Sequence, residues 1–174
     1  MIRFIRSEDA EGICNIYNYY VINTTITFEE KEVSEEEMHR RIDTTAKAYP
    51  WYVFEENYQI LGYAYATKWK ERSAYRFSTE STIYVRNGHT GKGIGAKLYE
   101  ALLSSLEKQG IHVVLGGIAQ PNEGSVRLHE RLGFSKVGQL SEVGYKLGKW
   151  IDVGYWELKL PRKIWNCRDM MGRK

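Results

Sequence analysis

The chain is poor in the residues that staple or punctuate unusual folds: among 174 residues it has 2 cysteines and 3 prolines. Cys14, in an apolar helical pattern, and Cys167, near the end, make neither a disulfide framework nor a metal-ligand set. No metal is expected, and a reducing cytoplasm is the expected location. No apolar run approaches the length of a membrane span, and Met1-Ile2-Arg3-Phe4-Ile5-Arg6 passes directly into polar residues, without the apolar core of a signal peptide. A soluble protein without a membrane partner is expected. Nor is there a large surplus of one charge. The net charge is +3, and the tail after Pro161 carries five basic residues (Arg162, Lys163, Arg168, Arg173, Lys174) against Asp169. The body is therefore near neutral, whereas a nucleic-acid footprint calls for a basic stripe on the folded domain. No nucleic-acid partner is expected.

What the chain does have is a length for one domain and a hydrophobic fraction of 43%. The reading is one domain over 1–160 followed by a basic tail at 161–174. Ile2 to Arg6 reads as a strand, followed by a helix with Ala10, Ile13, Cys14, Tyr17 and Val21 on its apolar face. Ser34 and Glu37 form a capping-box pattern before a second helix holding Met38, Arg41 and Ile42. Trp51 to Glu55 and Ile60 to Lys68 read as a hairpin, and Tyr75 to Val85 as a further strand. A helix from Gly95 to Lys108 lines up Leu98, Ala101, Leu102, Ser105 and Leu106. Strand Val113 to Ile118, a helix from about Glu123 to Leu132, and strands near Phe134 to Leu140 and Asp152 to Leu160 complete the order. This is an α/β chain with a sheet flanked by helices on both faces.

The most informative stretch runs from Ile83 to Leu98, where a strand enters the glycine-rich turn Thr90-Gly91-Lys92-Gly93-Ile94-Gly95 and a helix opens. Glycines permit positive φ and close approach of the backbone, and the first N–H groups of the helix lack intrahelical partners. Together with the helix dipole they suit an anion such as a pyrophosphate. A nucleoside-triphosphatase loop would need Ser or Thr after Lys92, where Gly93 stands. A dinucleotide fingerprint starting at Gly93 would need glycine at Leu98. Starting at Gly91 it would reach Ala96, with no acidic residue closing the following strand. The turn resembles the acyl-coenzyme-A loop of the GNAT N-acetyltransferases, with Thr90 where that family has Gln or Arg. Lys92 is then the expected source of side-chain charge.

A second segment, Asn122-Glu123-Gly124-Ser125-Val126-Arg127-Leu128-His129-Glu130-Arg131-Leu132-Gly133-Phe134, resembles the later motif of the same family. Many members have, at the position of His129, a tyrosine that protonates the departing thiolate. On its own a lone helical histidine is more readily a core or solvated side chain than a proton carrier, and the tyrosine-equivalent position is what favours proton transfer here. Further similarity to the phosphinothricin-type branch covers about Ile2 to Leu160. It rests on Tyr49-Pro50-Trp51, Trp69 to Tyr75, Thr79 to Val85, Ser125 to Glu130, Gly144-Tyr145-Lys146 and Asp152 to Trp156.

That resemblance implies a GNAT fold with a central mixed, twisted sheet, acetyl-CoA as co-substrate, and transfer to the α-amino group of a small amino-acid-like acceptor such as phosphinothricin or methionine sulfoximine. It implies Glu80 and His129 as the catalytic pair. It implies Ile83, Val85, Lys92, Gly93, Gly95, Ala96 and Asn122 as coenzyme A contacts, and Phe28, Arg72 and Tyr75 as the acceptor side. It also implies a homodimer. Trp69, Tyr75, Trp150, Tyr155 and Trp156 are read as core or dimer interface. The herbicide-resistance members have histidines where Leu147 and Ile151 stand and an apolar residue at Gln120, which leaves the acceptor open. A non-catalytic acyl-CoA-binding module and an acetyltransferase of peptide N-termini are the competing readings.

Overall fold

The computed structural model describes residues 1–161, so the expected basic tail, apart from Pro161, lies outside the described residues. Seven strands form one sheet: β1 (Ile2–Phe4), β2 (Trp51–Glu56), β3 (Gln59–Lys68), β4 (Ser78–Val85), β5 (Val113–Ala119), β6 (Ser135–Lys146) and β7 (Lys149–Lys159). The strand order is β1-β2-β3-β4-β5-β7-β6. Only β4 and β5 pair in parallel; the other neighbours are antiparallel. The helices are α1 (Ala10–Asn23), α2 (Glu35–Thr45), α3 (Ile94–Gln109) and α4 (Glu123–Arg131). The expected order of elements and mixed sheet are therefore present.

Two cores cover the two faces of the sheet. Ile13, Ile16, Met38 and Ile42 of α1 and α2 pack on Trp51, Val53 and Tyr63. Leu98, Leu102 and Leu106 of α3 pack on Ala64, Ala66, Val114 and Ile118. Burying several such side chains is worth about 1.5–3 kcal/mol each, which overrides weak local propensities. The capping box at α2 is half formed: Ser34 Oγ accepts from the Glu37 N–H at 3.2 Å, but the Glu37 carboxylate turns to Arg40 and Arg41 instead.

Two element boundaries differ from expectation. Residues Ser73–Tyr75 form a 3-10 turn, closed by the Arg76 N–H to Ser73 carbonyl bond, so β4 starts at Ser78 rather than Tyr75. The final hairpin is longer than its apolar pattern suggests. β6 runs on to Lys146 and β7 begins at Lys149, with the register shifting between Leu140 and Gly144. Glu142, at positive φ within that shift, breaks the alternation that would have marked the strand.

Candidate active site

The site begins where β4 and β5 part. Their ladder ends at the Glu80↔Leu115 pair, although β4 continues to Val85 and β5 to Ala119. Beyond that pair a cleft of 740 Å³ opens between the strands, bounded by the start of α3 and by α4. Backbone groups on the facing edges of diverging strands lack each other as partners, which suits an extended, amide-bearing ligand. Ser81 fills the fork itself, donating from its hydroxyl to the Leu115 carbonyl at 3.1 Å.

The glycine-rich turn forms the mouth. Gly91 and Gly93 lie at φ 77° and 78°, and Gly93 is the left-handed residue that opens α3. Ile83, Val85, Gly93, Gly95, Ala96 and Asn122, which the family resemblance implied as coenzyme A contacts, all line the cleft. Gly95 admits α4 closely, since a Cβ there would stand 3.0 Å from the Leu128 side chain. Asn122 caps α4, its side-chain oxygen accepting from the Ser125 N–H at 3.1 Å. Lys92 is exposed and does not line the cleft, whereas His89, Arg127 and Arg131 do. The lysine follows a glycine at positive φ at the outer tip of the turn, which carries it outward.

Glu80 and His129 both line the cleft, from opposite faces of the sheet. A Cβ on Gly116 would meet His129 Nε2 at 2.6 Å, and a Cβ on Gly117 would meet Glu80 Oε1 at 3.1 Å. Successive side chains of a strand point to opposite faces. The imidazole therefore lies on the α3 and α4 side and the carboxylate on the α1 and α2 side. Adjacent glycines inside an apolar strand were the sequence signal for this double close approach.

Burial raises the Glu80 pKa above the ordinary carboxylate value, with Lys70 partly opposing it. Tyr155, paired with Gly117 across the β5–β7 ladder, closes in beside that carboxylate and packs edge-on against Trp69 at 5.7 Å. Tyr155 therefore stands beside the carboxylate, with Trp69 against its ring, rather than in the core or interface expected of both. Trp156 is core and Trp150 is exposed.

His129 is 2% exposed. Its Nδ1 lies 2.8 Å from the Ser125 carbonyl and its Nε2 2.9 Å from the Tyr99 hydroxyl. Burial lowers its pKa and so favours the neutral ring, against a smaller opposite effect of the Ser125 carbonyl. Tyr99, fully buried on α3, also meets Ser81 Oγ at 3.1 Å, and burial pushes its pKa well above the ordinary range. Tyr99, Ser81 and Tyr20 line the cleft without having been expected there. Tyr20 donates to the Val85 carbonyl at 2.5 Å, so that carbonyl already has a protein partner.

The expected acceptor residues are not gathered into this cleft. Phe28 lies on Gly144, whose missing side chain makes room for the ring. The same loop is tied down by Lys146, which donates to the Thr27 carbonyl at 2.7 Å, and by the Glu29–Arg41 ion pair at 2.7 Å. Arg72 is exposed, and its guanidinium has no partner among the described residues; Tyr75 is exposed on the 3-10 turn. Both precede β4 on a segment whose short turn, unlike the expected strand, leaves them outside the sheet. Leu147 is exposed in the turn of the last hairpin, and Ile151 is buried opposite Gly144.

Residues 2–154, which hold the splayed parallel strand pair and the glycine-opened helix, match the acetyltransferase (GNAT) domain. The chain belongs to the GNAT acetyltransferases. Among the relatives within this family, a phosphinothricin N-acetyltransferase of Streptomyces viridochromogenes is 40% identical over 156 residues, 90% of this chain and 85% of the relative. An L-methionine sulfoximine/L-methionine sulfone acetyltransferase of Salmonella typhimurium is 34% identical over 160 residues, 91% of this chain and 94% of the relative. Among solved GNAT structures, a phosphinothricin acetyltransferase from Sinorhizobium meliloti in complex with acetyl-CoA superposes with a TM-score of 0.90 at 31% identity. The match covers 100% of this chain and 98% of that one.

Proposed function

We propose that the protein transfers acetyl from acetyl-CoA to the α-amino group of a small amino-acid-like acceptor of the phosphinothricin or methionine sulfoximine type. The observation that carries this reading is the pair of groups facing the fork of β4 and β5 from opposite sides, Glu80 on one and His129 with Tyr99 on the other. Acetyl-CoA would supply the activated thioester. The free N–H groups at the start of α3 would hold its pyrophosphate, and the diverging edges at Ile83 and Ala119 would pair with its amide-bearing arm. The cradle fits such a ligand because both glycines that form it hold left-handed backbone with open space at their Cβ positions.

On the other face, Glu80 receives the proton that an α-ammonium must lose before it can attack. Its raised pKa makes it a stronger base than a solvated carboxylate. Among the described residues no cysteine lines the cleft, which supports direct transfer without an acyl-cysteine. Arg72, with its guanidinium unengaged, is suited to the acceptor carboxylate as a two-pronged donor, and Tyr75 and Phe28 would complete the acceptor side. The exposed apolar residues Val137, Leu140, Val143, Tyr145 and Trp150 on the last hairpin support a homodimer, because an open edge strand invites a partner. The buried thiol of Cys14 is in keeping with a cytoplasmic location.

The test is thiol release from acetyl-CoA with a panel of amino acids, methionine sulfoximine, phosphinothricin and short peptides. Turnover with free amino acids and not with peptides supports the reading. Acetyl-CoA binding without turnover on any amine points instead to a binding module.

A further inference from the structure

The His129 ring offers no proton to the cleft. Nδ1 lies 2.8 Å from the Ser125 carbonyl, which can only accept, and 3.4 Å from the Ser125 hydroxyl; the much shorter carbonyl contact assigns the single N–H of the neutral ring to Nδ1. Nε2 is then a lone pair, and the 2.9 Å contact is a hydrogen bond donated by the Tyr99 hydroxyl. The same hydroxyl stands 3.1 Å from Ser81 Oγ, and Ser81 directly follows Glu80 on β4. Carboxylate and phenol thus lie at one level of the strand, on opposite faces, where the ladder with β5 ends.

We propose that the hydroxyl of Tyr99, rather than the imidazole of His129, is the donor that meets the departing coenzyme A sulfur. This rests on the acetyltransferase reading above. As the carbon–sulfur bond breaks, its electron pair goes to sulfur, and Tyr99 turns its O–H from Nε2 toward that charge. The O–H bond stays intact. The amine nitrogen bonds to the acyl carbon as sulfur leaves. Of the two protons an ammonium loses on becoming an amide, one passes through Glu80 to water before attack and one after it. The thiolate takes one back from water on release, leaving one net proton in solution. His129 is a positioning residue here, because Nε2 holds the hydroxyl beside the fork in the resting enzyme. A buried phenol that resists ionisation is suited to this role, since it remains a donor throughout the working range.

The test is the thiol pKa of coenzyme A bound to the protein, followed by the ultraviolet absorbance of the thiolate, together with kcat. A donor that meets the sulfur stabilises the thiolate. Tyr99→Phe is expected to raise the bound thiol pKa by about 1–2 and to lower kcat by about 10–100-fold. Placing 3,5-difluorotyrosine at position 99 keeps the ring in place and strengthens the donor, so the bound thiol pKa is expected below that of the wild type. An identical thiol pKa in the wild type and both variants would overturn the proposal. So would nitrogen shifts showing a proton on His129 Nε2 in the free protein. If no amine is acetylated, the proposed function falls while the thiol titration still decides the donor.

Discussion

Glu80 and His129 face one another across the sheet through two successive glycines, the carboxylate over Gly117 and the imidazole over Gly116. The strand that separates them has no side chain at either point, so the two groups approach the fork as closely as backbone allows. Substituting the glycines separates their roles. Gly116→Ala would place a methyl 2.6 and 2.8 Å from ring atoms of a fully packed histidine, and is expected to cost about 1–3 kcal/mol of stability. Gly117→Ala meets Glu80 Oε1 at 3.1 Å and Tyr155 at 3.4 Å, so it is expected to lower kcat with a smaller change in Tm. Melting curves and initial rates on the two variants check this contrast.

Gly93→Val is expected to weaken acetyl-CoA binding. The position has φ 78°, which a β-branched residue adopts only with strain, and relaxing that strain would turn the first N–H groups of α3 away from the pyrophosphate. Calorimetry on the folded variant decides the point; unchanged affinity would remove the turn from the cofactor site.

Acidification is expected to destabilise the fold through His129. Its folded pKa lies below the ordinary value of 6.5, so the unfolded chain binds the proton first, and stability is lost as pH falls from about 6.5 through the folded pKa. Denaturant unfolding at a series of pH values should show this slope, and His129→Asn should flatten it.

Arg72→Lys is expected to raise KM for the acceptor more than conservation of charge suggests, since an ammonium cannot pair in the two-pronged fashion of a guanidinium. Comparing an amino acid with its amide gives the control. Equal kcat/KM for both would exclude recognition of the carboxylate.

Much of this was legible in the sequence, because the features concerned are local. The turn at Gly91 to Gly95 and the Asn122 cap are written in consecutive residues, and the helix faces in their 3.6-residue period. The long last hairpin was hidden because β6 is an exposed edge strand, so burial left no alternation to read. Tyr99 was hidden for a different reason. Its position on α3 is an ordinary core position of that helix, and only the packing of α3 against α4 and β4 reveals the hydroxyl between Ser81 and His129. The placement of Lys92 outside the cleft and the exposure of Arg72 depend on the path of a turn, which motif spacing does not encode.

The most direct test of the acetyl-transfer account is the pH profile of kcat/KM for Glu80→Gln beside that of the wild type. Wild-type activity is expected to fall on acidification through a pKa above the ordinary carboxylate value, because burial favours the protonated form of Glu80. The Gln variant is expected to bind acetyl-CoA normally, to be slower by about 10²–10⁴-fold, and to recover partly as rising pH deprotonates the amine. Wild-type kcat/KM with an unshifted profile in Glu80→Gln would contradict the account.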